Sequence, residues 1–390
     1  MSTPSQMTPR ERIWSALQHK EPDQVPYDLG STQVTSIHRI AYRNLLQHLG
    51  MEQALEKELR IFDRAQQLPY LDEDLLVRCH ADVRGLAPQG PDCPEVEADG
   101  RRSFTDAYGI TWTMPKDGLY YDMTSHPLSE LTLTDEAVDQ LPLPQPEALT
   151  QVAGLREKGE RIHRESDQAM IAIILSGGIF EQSFWVRGFK NFYLDLARHP
   201  SQACGLMDRL MELRLACWEI ILEEVGDLIQ VVMEADDLAT QQSLMTSPEM
   251  YRKYVKPRHR RITSFIKQTA PGPIHIFFHS CGSVYDLIPD LIEAGFDILN
   301  PVQVSAAKMD TKQLKKQFGK DLTFWGGGVD TQHVLPHGTP AEVKDEVKRR
   351  IDDLAPGGGF VFSTVHNIQA DVPPENIVAM WEALQEYGKY

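Results

Sequence analysis

The segment at positions 274–282 reads Ile-His-Ile-Phe-Phe-His-Ser-Cys-Gly. An apolar run of this kind fits a buried strand. Side chains alternate along a strand, so His279 and Cys281 point the same way at its end. An imidazole and a thiol so placed are two of the about three protein donors that a catalytic zinc site wants. On this motif alone, a satisfied His beside a buried Cys stays open as the plainer alternative. His275 shares the parity but lies at the strand start, about 13 Å away at about 3.3 Å per residue, and reads as structural. A second run, 359–362, continues into Ser-Thr-Val-His-Asn-Ile-Gln at 363–369. His366 sits just past that strand end and completes a His/Cys/His set. Its alternative is a hydrogen-bonding loop histidine.

Acids stand at two further strand ends. The run 228–233 ends in Glu234-Ala235-Asp236-Asp237, and the run 169–175 leads through Gly177-Gly178 to Glu181. Carboxylates are costly to desolvate unless they work or are paired. Glu181, Asp236 and Asp237 are therefore candidate catalytic groups, for proton transfer or for closing a metal site. An N-cap and a solvated Asp are the alternative at 236 and 237. Trp185, with Phe180 and Phe184, could line an apolar pocket, although core packing is the commoner fate of such residues. Gln241, Asn300, Gln303, Asp330 and Asn367 follow strand ends and are candidate substrate contacts.

These residues need a scaffold that gathers strand ends. From about 167, six short apolar runs, at 169–175, 228–233, 274–278, 297–300, 322–325 and 359–362, alternate with helical stretches. The helices are expected near 188–197, 201–224, 247–269, 284–294, 310–317, 340–353 and 374–387. That rhythm predicts parallel βα units. With more β material upstream and no composition break, the expected fold is α/β, a (β/α)8 TIM barrel, in which active groups sit at the carboxyl ends of the strands. An open doubly wound sheet is the alternative. The whole chain, 1–390, reads as one domain. Residues 1–165 supply N-terminal elaborations and the first barrel elements, and 166–390 the regular units. Within the first part, Thr8-Pro9 opens a helix, 25–30 reads as a short strand, helices follow at 35–49 and 52–60, and 81–135 reads as inserted β-hairpins. The Pro-rich piece 141–147 links to a helix at 148–159.

Composition narrows the partners. The chain has 390 residues, 42% hydrophobic and 24% charged, as in an ordinary globular protein. Lys plus Arg is 39 against 56 Asp plus Glu, a formal charge of −17. This counts against nucleic acid and anionic membranes, both of which are bound by basic patches. Cysteines at 79, 93, 204, 217 and 281 form no CxxC pair and no even framework, so a reducing compartment is expected. The polar opening MSTPSQMTPRERIW lacks a signal-peptide core, and a cytoplasmic location is expected. No GxGxxG or GxxxxGK[ST] phosphate loop occurs.

The pieces HSCGSVYDLIPDLIEAGFDILNPVQ, FWGGGVDTQHVLPHGTPAEV and HNIQADVPPEN resemble the uroporphyrinogen decarboxylase superfamily. The chain is similar in particular to its branch of cobalamin-linked methyltransferases. The likeness runs from MTPRERIWSAL to VPPENIVAMWEAL. It implies a (β/α)8 barrel and a zinc ion held by the His-x-Cys pair, His279 and Cys281. The third ligand, counted back from the Pro-x-Glu-Asn helix start, falls on His366, where those methyltransferases have a Cys. One thiolate in place of two makes a stronger Lewis acid, suited to a methyl ether or another weak donor rather than to a thiol. The resemblance further implies a small-molecule methyl donor and a partner corrinoid protein that carries the cobalamin, since no DxHxxG sequence is present here. That partner would dock at the carboxyl face, where Trp325, His333 and His337 are expected. Exposed helices such as 201–224 leave room for a homodimer. Uroporphyrinogen decarboxylases carry an arginine-rich loop near the N-terminus, where this chain reads DLGSTQVTSIHR. A metal-free decarboxylase is thus the second expectation, and a non-catalytic accessory protein of a methyl-transfer system the third.

Overall fold

Seven strands run Val83–Leu86 (β1), Ala169–Ile173 (β2), Val231–Ala235 (β3), His275–His279 (β4), Ile298–Asn300 (β5), Thr323–Trp325 (β6) and Phe360–Val361 (β7). In the computed structural model, which describes residues 6–390, they are parallel and neighbour one another in chain order. Residues 1–5, the start of the polar opening stretch, lie outside the described part.

The eighth position is filled by residues 25–29. Phe362 N–H donates to Pro26 O at 2.8 Å, Asp28 N–H to Phe362 O at 2.9 Å, and Asp82 N–H to Tyr27 O at 2.8 Å. The segment therefore bridges β7 to β1 and closes the barrel. Pro26 has no N–H to give, so the ladder is reduced to isolated bridges rather than a full strand.

Strand alternation splits the core in two. One parity, including Val83, Ile171, Val231, Met233, Phe277, Ile298, Trp325 and Val361, fills the barrel interior. The other, including Met170, Ala172, Val232, Ile276, Phe278, Leu299 and Phe324, packs under the surrounding helices. Helix α1 (Pro9–Leu17) closes the amino-terminal end and adds Ile13, Ala16 and Leu17 to the interior. Its start is fixed by a capping box between Thr8 and Glu11, with Pro at the first turn. Gly359 N–H donates to Ala16 O at 3.1 Å, and Trp14 stands edge-on to His275, with ring centroids 5.3 Å apart. His275 is thus part of this plug.

Two expectations are corrected, at 81–135 and 148–159, and one helix is added to those expected. The region 81–135 holds a barrel strand, β1, besides hairpins. Arg84 and Gly85 hide it, because Arg84 pairs outward with Glu73 at 2.7 Å and a side chain at Gly85 would meet Ser31 O at 2.0 Å. The stretch after β2 is a helix, α2 (Ile179–Arg187), whose residues are buried nearly all round and so show no amphipathic period. The helix expected at 148–159 is Leu155–Glu165, after a single turn at Pro146–Leu149. Other elements lie close to expectation, including α3 (Pro200–Val225) and α4 (Lys256–Thr269), the latter led in by a π-turn at Tyr251–Val255.

A four-stranded antiparallel meander, from Val96–Ala98 to Asp122–Ser125, lies over the carboxyl ends. Trp112 stands edge-on to Trp185 of α2, with centroids 5.7 Å apart. On the other side, Tyr120 donates to Gln369 and His38 Nε2 bonds to Leu119 O at 3.3 Å. The meander therefore spans the mouth from the β2 side to the last loop. No helix among the described residues is long and apolar enough to cross a membrane.

At the closed end, Arg12 pairs with Asp23 at 2.7 Å and with Asp82, whose other oxygen accepts from Tyr27 N–H at 2.8 Å. The Arg12 and Asp82 side chains are 5% and 2% exposed. Arg12→Ala strands a buried carboxylate against the closing segment, and should cost about 3–5 kcal/mol in urea unfolding. A loss under about 1 kcal/mol would show that the pair does not hold the closure.

Candidate metal centre

β4 delivers His279 and, two residues on, Cys281. The loop after β7 delivers His366. Their donor atoms all lie within 4.8 Å of one another, and Cys281 Sγ is 3.5 Å from His279 Nε2. His279 is buried, while Cys281 and His366 are half-buried.

The orientation of His279 is set from below. Asn300, at the end of β5, donates its amide to Trp325 O at 2.7 Å, so its Oδ1 faces His279 Nδ1 at 2.6 Å. An oxygen there accepts a hydrogen bond from Nδ1–H. This leaves the Nε2 lone pair facing Cys281, as metal-ligating histidines require. His366 is held in left-handed backbone, φ 64°, with its carbonyl accepting from Thr364 Oγ1. Such a conformation in a residue with a side chain marks an over-determined position. Next to it, Asn367 donates to Gln66 Oε1 at 2.7 Å and to Gln33 O at 3.3 Å.

The two aspartates after β3 point opposite ways. Asp236 is fully buried. Its carboxylate accepts from Phe180 N–H at 3.1 Å, Glu181 N–H at 2.7 Å and His259 Nε2 at 2.8 Å. Tyr251 lies 3.1 Å beyond, on His259 Nδ1. Asp236 thus caps α2 from another strand, and it acts on the site only through that helix. Asp237 faces the donors. It accepts from Cys281 N–H at 2.7 Å and comes within 3.9 Å of His279 Nε2.

Glu181 lies over Gly177. A Cβ there would meet its Oε2 at 3.0 Å and the Trp185 ring at 3.1 Å. Gly178 has no room at all, because a Cβ would sit 1.6 Å from Ala235 O. The two glycines let α2 drop onto the strand ends and bring Glu181 and Trp185 together.

Burial dominates the electrostatics. It raises the Glu181 carboxyl well above its usual range, with Asp237 and Asp236 adding to the rise. It raises the Cys281 thiol well above its ordinary range, again with Asp237 and Glu181 adding. It lowers both histidines, His366 to about 4. Without metal the thiolate is therefore unfavourable, and the imidazoles keep free lone pairs. A divalent ion would reverse the first of these and use the second. The donor set fits zinc: two imidazoles, one thiol and a carboxylate alongside.

The remaining sequence candidates serve loops rather than an open surface. Gln303 accepts from Gly282 N–H at 2.6 Å and donates to Gln241 at 2.5 Å, and Gln241 donates onward to Ser305 O at 2.7 Å. Asp330 accepts from the N–H of Gln332 and His333. Asn300 is fully buried beneath His279. Trp325 also is fully buried, its N–H donated to Asp28 at 2.9 Å, so it cannot meet a partner, whereas His333 and His337 are exposed.

Sequence reading missed Asp63, Gln66, Asp28 and His259. Asp63, in the hairpin of Ile61–Asp63 and Leu68–Pro69, accepts from Gln66 and lies close enough to His366 for each to shift the other. No spacing rule joins position 63 to 366. His259 was masked by its basic neighbours, Arg258, Arg260 and Arg261.

A closed α/β barrel with a nitrogen–sulfur donor cluster at its carboxyl mouth is the class of protein that these features define. Residues 95–387 match the family model for uroporphyrinogen decarboxylase (URO-D), and the chain belongs to that family. A methylated-thiol–coenzyme M methyltransferase of Methanosarcina mazei is 23% identical over 58% of this chain and 56% of its own length. A uroporphyrinogen decarboxylase of Salmonella agona is 22% identical over 73% of this chain and 76% of its own. The chain spans about half the length of several curated relatives it matches, 56% and 48% for two of them. A solved methyltransferase from Methanosarcina mazei shares the fold, with a TM-score of 0.68 at 18% identity over 98% of this chain and 99% of the other.

His366 gives a direct check on the geometry. Its lowered pKa means that its neutral form is favoured on folding. The stability so gained is present above the ordinary imidazole value and lost as pH falls through about 4. A nitrogen-15 NMR titration of metal-free protein should place its midpoint near 4. An ordinary midpoint, about 6.5, would show that the ring is not buried against His279.

Proposed function

We propose that the protein is a zinc-dependent methyltransferase. It moves a methyl group between a small methoxy or other methyl donor and a corrinoid protein that carries the cobalamin. The observation that carries this reading is the convergence of His279, Cys281 and His366 donor atoms within 4.8 Å. Family membership, and the methyltransferases among the similar proteins, support it.

His279, Cys281 and His366 would hold the ion, with Asp237 beside them to complete the set. Bound zinc supplies Lewis acidity to the oxygen or sulfur that bears the methyl group. The chain's own residues do the rest. Asn300 fixes His279 so that Nε2 faces the centre. Glu181, kept protonated by burial, holds a proton for the heteroatom that loses its methyl group. The methyl–heteroatom bond breaks with its electron pair left on the heteroatom, and the acceptor supplies the pair for the new bond to carbon. Trp185 and the meander above it exclude water. The corrinoid partner docks at the carboxyl face, near the exposed His333 and His337.

Decarboxylation, named for several relatives, is the second reading. The sequence 28–39, DLGSTQVTSIHR, has a single arginine to set against a polycarboxylate, and it stands at the end. Against both readings stands a non-catalytic accessory role.

The test is metal analysis with a methyl-transfer assay. Wild-type protein should bind about one zinc. His279→Ala, Cys281→Ser and His366→Ala should each lower zinc affinity by at least about 100-fold and abolish transfer to free cobalamin from a methoxyarene. Full transfer by metal-free wild-type protein overturns the reading, and so does porphyrinogen turnover indifferent to Cys281→Ser.

A further inference from the structure

Lysine side chains in this protein meet carboxylates or stand exposed. Lys57, Lys256, Lys267, Lys308, Lys344 and Lys348 each have an acidic partner at 2.5–2.8 Å. Two half-buried lysines depart from this, each giving its Nζ to a backbone carbonyl instead. Lys158 donates to Gly85 O at 2.8 Å, and Lys315 donates to Gly358 O. Lys158 is ringed by Arg60, Arg84 and Arg161. Lys315 has an imidazole for a neighbour.

Lys315 lies in the helix Thr311–Phe318, against the turn Gly357-Gly358-Gly359 that leads into β7. All three glycines are left-handed, with φ 79°, 73° and 67°, a conformation that is costly for a residue with a side chain. At two of them close approach also demands glycine. A Cβ at Gly358 would meet the Lys20 backbone at 2.4 Å, and one at Gly359 would meet His19 Nδ1 at 2.7 Å. The exit of α1 and the Lys315 side chain thus meet on the same two glycines. Gly357 is exposed, with nothing within 4 Å of where a Cβ would sit, and this leaves an open approach to the turn.

His19 is itself left-handed, φ 54°, and its Nδ1 is buried without a hydrogen-bond partner. Burial, and then Lys315, lower its pKa, so the neutral ring has a lone pair to offer, with Asp321 acting weakly the other way. The carboxylate that acts on Lys315 is Glu21, near Tyr390. It stands beyond ion-pairing distance, its Oε1 held by Gly357 N–H at 2.8 Å. Burial therefore prevails and lowers Lys315 to about 8. An amine is a nucleophile only in its neutral form, and desolvation is one way a protein makes that form available near neutral pH.

We propose that Lys315 is a covalent modification site that takes a small activated acyl group from an acyl phosphate or an acyl thioester. The Nζ lone pair attacks the acyl carbon and forms the amide bond. The carbon–oxygen or carbon–sulfur bond breaks, with its electron pair left on the departing phosphate or thiolate. The proton released from Nζ passes to His19 Nδ1, and from there to the leaving group or to water. Acylation removes the charge and the donor to Gly358 O, and so frees the turn that leads into β7.

Site-resolved mass spectrometry of the full chain tests this by initial rates. Acetyl phosphate, an anion, is the donor in one arm, and S-acetyl-N-acetylcysteamine, a neutral thioester, in the other. Lys312 and Lys316, exposed on the same helix, are internal references. At pH 8 Lys315 should be acetylated at least about fivefold faster than either. A lysine of ordinary pKa is under about 1% neutral there, which outweighs the faster attack of a stronger base. The Lys315 rate should rise with pH through a midpoint near 8. His19→Asn, a change that left-handed backbone tolerates, should slow Lys315 at least about threefold and leave Lys312 and Lys316 unchanged. Faster labelling of Lys315 in either arm supports the site, and the faster arm gives the donor class. Labelling of Lys315 no faster than of Lys312 and Lys316 in both arms overturns the proposal. A Lys315 rate that His19→Asn leaves unchanged overturns the role given to His19.

Discussion

The mouth of the barrel turns on the buried carboxylate of Asp236. Its backbone N–H donates to His279 O at 2.9 Å, which ties the end of β3 to the end of β4. Its side chain takes the first free N–H groups of α2 and the Nε2 of His259 from α4. One residue thus fixes two strands and two helices at the place where the donors emerge. A buried carboxylate is costly unless several donors compensate it, and here three do. A helix N-terminus is also where a negative charge is favoured. Its position follows: Glu181 is reproducibly over the strand ends because the N–H of Glu181 itself is bound below.

Around that anchor, the mouth and the closed end of the barrel follow different electrostatic rules. At the closed end, Arg12 and Asp82 neutralise each other and join α1 to the closing segment. At the mouth Asp28, Asp63 and Glu181 have no lysine or arginine partner, and burial pushes their carboxyls up, Asp28 to about 6, as it also does Asp82 beside Arg12. Fold stability would be better served by pairing them or by apolar residues of the same size. An arrangement that costs stability in one place, at the strand ends of a barrel, is the kind that binding and catalytic sites require.

Much of this was legible in sequence where periodicity carries the information. The parity of His279 and Cys281 follows from the two-residue repeat of a strand, and six of the seven strands announced themselves as apolar runs. His366 was reachable because a polar residue just past the last strand end must lie at the same mouth. The rest depends on tertiary packing. Residues 25–29 close the barrel through hydrogen bonds to two strands far away in the chain, with a proline in their midst. α2 is buried on nearly every side, so it has no polar face to mark it. Asp236 and Asp237 are neighbours of the same type, and only the pleat decides that one caps a helix while the other faces the His279, Cys281 and His366 donor atoms. Asn300 looked like a substrate contact, yet its amide is spent between Trp325 and His279.

The His/Cys/His donor set has a consequence for charge. One thiolate leaves a divalent ion with a residual positive charge, and Asp237, with no cation of its own, stands where it can offset that charge. Two thiolates would already neutralise the ion and would leave the half-buried Asp237 an unbalanced anion beside it. The choice of His366 and the unpaired state of Asp237 are therefore consistent with one another. Metal-free protein keeps Asp237 without a cation and a thiol that burial holds protonated, so a bound divalent ion would supply what the fold lacks there. An ion bound by the folded chain alone would stabilise it by mass action, most of all at the mouth, where the donors lie.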